Sequence, residues 1–78
     1  MMSVSAYIFV ETTTGQSRSV STAIADIPGV VRCNRITGPY DVIALVEVDD
    51  LRQLSEYIVS QIQETPGVLR TMTNIVAD

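Results

Sequence analysis

Ile27-Pro28-Gly29-Val30-Val31-Arg32 and Thr65-Pro66-Gly67-Val68-Leu69-Arg70 are two versions of one stretch, and they decide the fold. Four of the six aligned positions are identical. In each, Pro-Gly stops a helical pattern and an apolar run then opens a strand. Chance reuse of a common helix stop does not explain why both copies sit at equivalent points of two similar halves. Each half reads strand, helix, Pro-Gly, strand, so the chain is read as a duplication.

Before the first copy, the residues from about Gln16 to Asp26 have a helical period. Val20, Ala23, Ile24 and Ile27 fall at i, i+3, i+4 and i+7 and predict one buried stripe. Thr12-Thr13-Thr14-Gly15 ahead of them offers N-cap candidates. Val4 to Glu11 reads as a strand rich in β-branched and aromatic residues. Ala6, Ile8 and Val10 point one way and Tyr7 and Phe9 the other, so both faces are apolar.

The second half repeats the pattern. Val42 to Val48 is a strand that is again apolar on both faces. Asp49 and Asp50 cap a helix, with Gln53 at the reciprocal capping-box position if Asp50 is the cap. Leu51, Leu54, Ile58 and Ile62 mark its buried stripe. The strands after the two Pro-Gly stops, Val30 to Thr37 and Val68 to Val76, are more polar. In the first of them Val31 and Cys33 alternate with Arg32 and Asn34.

Strand–helix–strand, twice, predicts an α+β ferredoxin-like βαββαβ fold, one domain over residues 1–78. Right-handed crossovers place the first and third strands at the centre of an antiparallel sheet, order 4-1-3-2. Both helices then cover one sheet face. The other face exposes Tyr7, Phe9 and alternate residues of the third strand. A patch that apolar implies a partner, expected to be a second copy packed sheet to sheet.

The totals support this. A chain of 78 residues rarely stabilises itself by its core alone. One cysteine excludes an internal disulfide, and without histidine a zinc site lacks donors. Association is the remaining support, and 46% hydrophobic residues agree with it. The net charge of −4, with five arginines and no lysine, argues against direct nucleic-acid binding. Arg32 and Arg35 read as a solvated strand face. No secretory signal or membrane span is visible, so the expected location is the cytoplasm and no membrane partner is expected.

Between the second and third strands lies Thr37-Gly38-Pro39-Tyr40-Asp41. It reads either as a plain turn or as a loop presenting backbone N–H groups and a carboxylate to a small ligand. Enzymatic chemistry finds little here. There is no histidine for acid–base work, no lysine for a Schiff base and no glycine-rich phosphate loop. Cys33 has no histidine partner, and Asp49-Asp50 reads as a cap. No catalytic residue, cofactor or metal is assigned.

Ile36-Thr37-Gly38-Pro39-Tyr40-Asp41-Val42, the duplication, and Pro66-Gly67-Val68-Leu69-Arg70-Thr71-Met72-Thr73 together resemble the effector-binding (RAM-type) domain of the Lrp/AsnC transcription regulators. That family has a Gly-x-Tyr/Phe-Asp turn before an apolar strand and a Thr-x-Thr in its last strand. The resemblance implies an amino-acid-binding regulatory module that dimerises through its sheets and assembles further into rings. It places Gly38, Tyr40 and Asp41 in the effector site, with Asp41 meeting the ligand ammonium or fixing the loop. Thr71 and Thr73 are further candidates, contributed by a neighbouring subunit. Family regulators carry an N-terminal helix-turn-helix domain, whereas this chain begins at the first strand. The expectation is therefore a stand-alone effector domain, able to join a full-length regulator through the same sheet face. Two alternatives stay open: a small dimeric ferredoxin-like enzyme of the monooxygenase or isomerase type, and an ACT-type amino-acid-binding domain.

Overall fold

The computed structural model describes residues 3–78. Four strands and two helical segments follow one another: β1 (Val4–Thr12), α1 (Ser17–Ala25), β2 (Val30–Arg35), β3 (Val42–Val48), α2 (residues 51–64) and β4 (Val68–Ile75). The sheet order is β2-β3-β1-β4, and each neighbouring pair is antiparallel. This is the ferredoxin-like arrangement read from the duplicated pattern, with the two most apolar strands at the centre.

Ala6, Ile8 and Val10 of β1 and Val42, Ala44, Val46 and Val48 of β3 form the core with Val20, Ile24 and Ile27 and with Leu54, Ile58 and Ile62. Two expected core positions lie outside it. Ala23 is exposed. At about 100° per residue it sits some 60° round the helix from Val20, at the stripe's edge. Leu51 is 56% exposed. Residues Leu54–Ile58 form a widened π turn in which the Leu54 carbonyl accepts from the Val59 N–H. Leu51, just before this turn, lines the crevice beside Thr73 and Ile75 of β4 and does not enter the core.

The helix starts differ. Asp50 caps α2, its Oδ1 accepting from the Gln53 N–H at 2.8 Å, while Gln53 Oε1 accepts from the Asp49 N–H at 2.9 Å. The box is closed as expected, one residue further back. None of the threonines caps α1; its N-cap is Gln16, which makes no side-chain cap bond.

The duplication persists at the level of single atoms. Gly29 and Gly67 both have positive φ, +102° and +97°. A Cβ on Gly29 would stand 2.8 Å from Ile58 Cδ1 in α2, and one on Gly67 would stand 3.0 Å from Val20 Cγ2 in α1. Each half's Pro-Gly turn thus presses against the other half's helix, at equivalent positions of the repeat. Both edge strands are bulged at the next equivalent pair. Val30 pairs with Val46 and Arg32 with Leu45, which leaves Val31 as the extra residue. Arg70 pairs with Glu11 and Val68 with Thr12, which leaves Leu69. Val31 and Leu69 are accordingly 58% and 61% exposed. The expected alternation of Val31 and Cys33 with Arg32 and Asn34 fails at Val31 for this reason.

The face away from the helices carries Tyr7, Phe9, Ile43 and Leu45 at its centre. Register places Phe9 between Ile43 and Met72, and Tyr7 between Leu45 and Asn74. Among the described residues no helix is long and apolar enough to cross a membrane.

Candidate functional site

The turn after β2 is closed from three sides, and Asp41 takes part in each closure. The Ile36 N–H donates to the Asp41 carbonyl at 2.9 Å, and the Asp41 N–H donates to the Val10 carbonyl at 2.9 Å. Asp41 Oδ2 accepts from the Thr12 N–H at 2.8 Å and from the Thr12 hydroxyl at 3.2 Å. The carboxylate therefore ties the turn to the end of β1. Thr12 was not among the sequence candidates. Its signal, a hydroxyl residue at a strand end, is too common to single out.

Gly38 has φ +122°, and the space where a Cβ would stand is open. Its peptide is exposed at the tip of the turn. Tyr40 goes the other way. Its ring packs on Phe9, with centroids 5.6 Å apart and planes tilted by 50°. The Tyr40 hydroxyl donates to Met72 Sδ at 3.8 Å. The Arg70 guanidinium lies 5.8 Å from the ring centroid and pairs with Glu11 at 3.1 Å. Tyr40 thus belongs to the open sheet face, whereas Asp41 reaches β1.

Thr71 and Thr73 lie opposite Val10 and Ile8, which belong to the helix-covered face. Thr71 Oγ1 accepts from Gln63 Nε2 at 3.2 Å. Thr73 lines an apolar crevice of about 320 Å³ with Leu51, Leu54, Ser55, Val59 and Ile75. Within one chain Gly38, Tyr40 and Asp41 share the turn but not one surface, since Tyr40 packs on Phe9 and Asp41 bonds Thr12, and Thr71 and Thr73 lie on the edge strand.

Beside the turn is a cleft of about 310 Å³ lined by Ser17, Arg35, Ile36, Thr37 and Asp41. It lies where the start of α1 meets the end of β2. The sequence signal for Arg35 was parity. Arg32 pairs with Leu45 and stands on the open face, whereas Arg35 pairs with Val42 and stands on the helix side. The two arginines share no surface.

Cys33 also faces α1, its Sγ 3.7 Å from the Ser21 hydroxyl. Burial raises its thiol pKa above the ordinary value, and the contact with Ser21 offsets this in part. Among the described residues no cluster of three His, Cys, Asp or Glu side chains is placed to hold a metal ion.

Residues 5–78 match the Lrp/AsnC ligand binding domain. The chain belongs to that family. No curated protein matches it. Among solved structures, TTHA0845 from Thermus thermophilus superposes on this Lrp/AsnC domain with a TM-score of 0.89 at 29% identity, over 96% of this chain and 94% of that one. Hypothetical protein PHS023 from Pyrococcus horikoshii does so with a TM-score of 0.87 at 32% identity, over 96% and 90%. The feast or famine regulatory protein Rv3291c from M. tuberculosis, complexed with L-methionine, has a TM-score of 0.81 at 25% identity; the match covers 96% of this chain and 50% of that one. The Lrp/AsnC domain described here thus spans about half the length of that regulator.

Proposed function

We propose that this domain is an effector-binding regulatory module whose ligand is an amino acid or a close analogue, bound at the turn of residues 37–41. The observation that carries the reading is the cleft of about 310 Å³ beside that turn, in a chain of a ligand-binding family. That volume is at the small end of ligand pockets and suits a single amino acid. The regulator Rv3291c, half of which matches this chain, is complexed with L-methionine.

Gly38 and Asp41 are the proposed ligand contacts of this chain. The exposed Gly38 peptide offers its N–H, and Asp41 offers the carboxylate oxygen that Thr12 leaves free. Tyr40 sits at the rim, where it also meets a partner's sheet. Thr71 and Thr73 join the site from a neighbouring subunit, since in their own chain they lie on the edge strand β4 and do not line the cleft. The module dimerises through the face of Tyr7, Phe9, Ile43 and Leu45. It assembles further into rings of dimers and can pair with a full-length family regulator. It acts by binding, not by catalysis, in the manner of its family's regulatory domains.

Thermal unfolding in the presence of each standard L-amino acid tests the reading. At least one is expected to raise the midpoint in proportion to the logarithm of its concentration. No shift with any of them overturns it.

A further inference from the structure

We propose that Arg35 takes the carboxylate of a zwitterionic α-amino acid in the cleft at the start of α1, across from Asp41, whose meeting with the ammonium is what the family resemblance already implies. The proposal rests on the reading above that the ligand is an amino acid, and it names the residues that enforce that choice.

The cleft's lining is selective in charge. Of its five residues, Ser17, Ile36 and Thr37 are neutral, Arg35 is the cation and Asp41 the anion. In a chain of net charge −4, an incoming carboxylate is repelled at long range and needs a local cation. Among the described residues Arg35 enters no ion pair and no side-chain hydrogen bond. Its guanidinium is a planar fork that matches a carboxylate with two parallel N–H···O bonds.

Asp41 is the opposite case, a fixed acceptor. Thr12 holds its Oδ2 through two hydrogen bonds, of 2.8 Å and 3.2 Å. Oδ1 is left for an ammonium, and little side-chain freedom remains to be lost on binding. The Ile36 N–H donates to the Asp41 carbonyl, and Arg35 is the residue just before Ile36. The two charged residues therefore enter the cleft from adjoining strand ends of one closed turn. The Ser17 and Thr37 hydroxyls supply neutral partners for what remains of the ligand's polar surface. A ligand with one charged end leaves either Arg35 or Asp41 unsatisfied, which is how such a site rejects amines and simple acids.

The test compares each standard L-amino acid with its own carboxamide, titrated calorimetrically into the wild type, Arg35→Gln and Arg35→Lys. The wild type is expected to prefer the free acid. Arg35→Gln should weaken binding of the free acid by roughly 10- to 100-fold, the loss of a charge-assisted hydrogen-bonded pair, and leave the carboxamide unchanged. Arg35→Lys should fall between, because it keeps the charge but not the fork. Arg35 is exposed, so unaltered thermal midpoints should accompany both variants. If an amino acid binds the wild type and Arg35→Gln binds it equally well, this assignment is wrong while the functional reading stands. If Arg35→Gln weakens acid and carboxamide alike, Arg35 shapes the cleft without meeting the carboxylate, and the assignment also fails. If no amino acid binds the wild type, both are wrong.

Discussion

Asp41 Oδ2 lies 2.8 Å from the Thr12 backbone nitrogen and 3.2 Å from its hydroxyl, so one carboxylate joins the central turn to the end of β1. Thr12 is almost fully buried. Removing the carboxylate strands its N–H where water cannot easily replace the partner. Asp41→Ala is therefore expected to lower stability by about 1–3 kcal/mol. The thermal midpoint should fall by about 4–8 °C for each of those kcal/mol. Asp41→Asn retains an amide oxygen for the same N–H and should lose less. An Asp41→Ala protein as stable as the wild type would show that the bond to Thr12 contributes nothing.

That bond changes how ligand data must be read. In the proposed site Asp41 has two roles, meeting the ligand and holding the loop through Thr12. A loss of affinity in Asp41→Asn counts as a lost ligand contact only if the thermal midpoint without ligand is preserved. Thr12→Val supplies the control: it removes the hydroxyl but keeps the N–H and every atom of Asp41. A fall in ligand affinity in Thr12→Val as large as in Asp41→Asn would make loop placement, and not the free oxygen of Asp41, the main determinant.

The fold was legible because its signals are local. Pro28-Gly29 and Pro66-Gly67 stop helices wherever they occur, and the two-sided apolarity of β1 and β3 marks central strands. What escaped was set by pairs of elements. The bulges that expel Val31 and Leu69 are properties of two strands in register, and neither strand alone shows them. The wide turn at Leu54–Ile58, next to the exposed Leu51, has no signal in the helical period of α2. The candidate site was legible as a turn but not as a surface. Tyr40 and Asp41 are neighbours in sequence, yet one packs on Phe9 and the other bonds Thr12.

Tyr40 is expected to affect assembly more than ligand affinity. Its ring covers Phe9 and its hydroxyl touches Met72, both on the open face. Tyr40→Ala uncovers those side chains and should raise the dimer dissociation constant while changing amino-acid affinity by less than about tenfold. Sedimentation at several protein concentrations, paired with calorimetric titration, separates the two effects. The reverse pattern would place Tyr40 in the ligand site proper.

Gly29 and Gly67 make a matched pair for testing the duplication. Gly29→Ala forces a methyl to within 2.8 Å of Ile58 Cδ1 at a φ of +102°. Gly67→Ala meets Val20 Cγ2 at 3.0 Å and φ +97°. Each combines backbone strain with crowding, for an expected cost of about 1–3 kcal/mol. Shortening the side chain opposite should recover part of the crowding cost and none of the strain. Ile58→Val should therefore be less harmful in Gly29→Ala than in the wild type, and the double-mutant cycle reads this directly. Strict additivity would show that the contact between the Pro-Gly turn and α2 is not tight.

Cys33 predicts an alkaline limit. Burial beneath α1 raises its thiol pKa in the folded state, and the Ser21 contact offsets only part of the rise. The folded protein thus favours the neutral thiol. Its contribution is fully present below the pKa of the unfolded chain and is lost as pH rises through the folded value. Stability should fall above about pH 9, where an unfolded thiol ionises. Cys33→Ser should flatten that part of the profile. An identical alkaline slope in Cys33→Ser would assign the effect to other groups.

The open sheet face carries the strongest prediction about assembly. Phe9 sits at its centre, opposite Ile43 on one side and Met72 on the other, with Tyr40 over its ring. In a sheet-to-sheet dimer Phe9→Glu places a carboxylate in the buried centre. Arg70, the cation beside Tyr40, is already paired with Glu11. Arg32 lies beyond β3, opposite Leu45. Neither stands directly opposite position 9, where the register places Ile43 and Met72, so the cost is several kcal/mol and falls on association. In the isolated chain Phe9 is only partly buried, so the monomer fold should persist. Light scattering is expected to give the monomer mass for Phe9→Glu and a larger mass for the wild type, with the same far-ultraviolet circular dichroism. Val31→Glu, on the exposed bulge of the edge strand, is the matched control and should leave the mass unchanged. An undiminished assembly with Phe9→Glu would move the interface off the sheet. The crevice between α2 and β4, lined by Leu51, Val59 and Ile75, would then be the next surface to test.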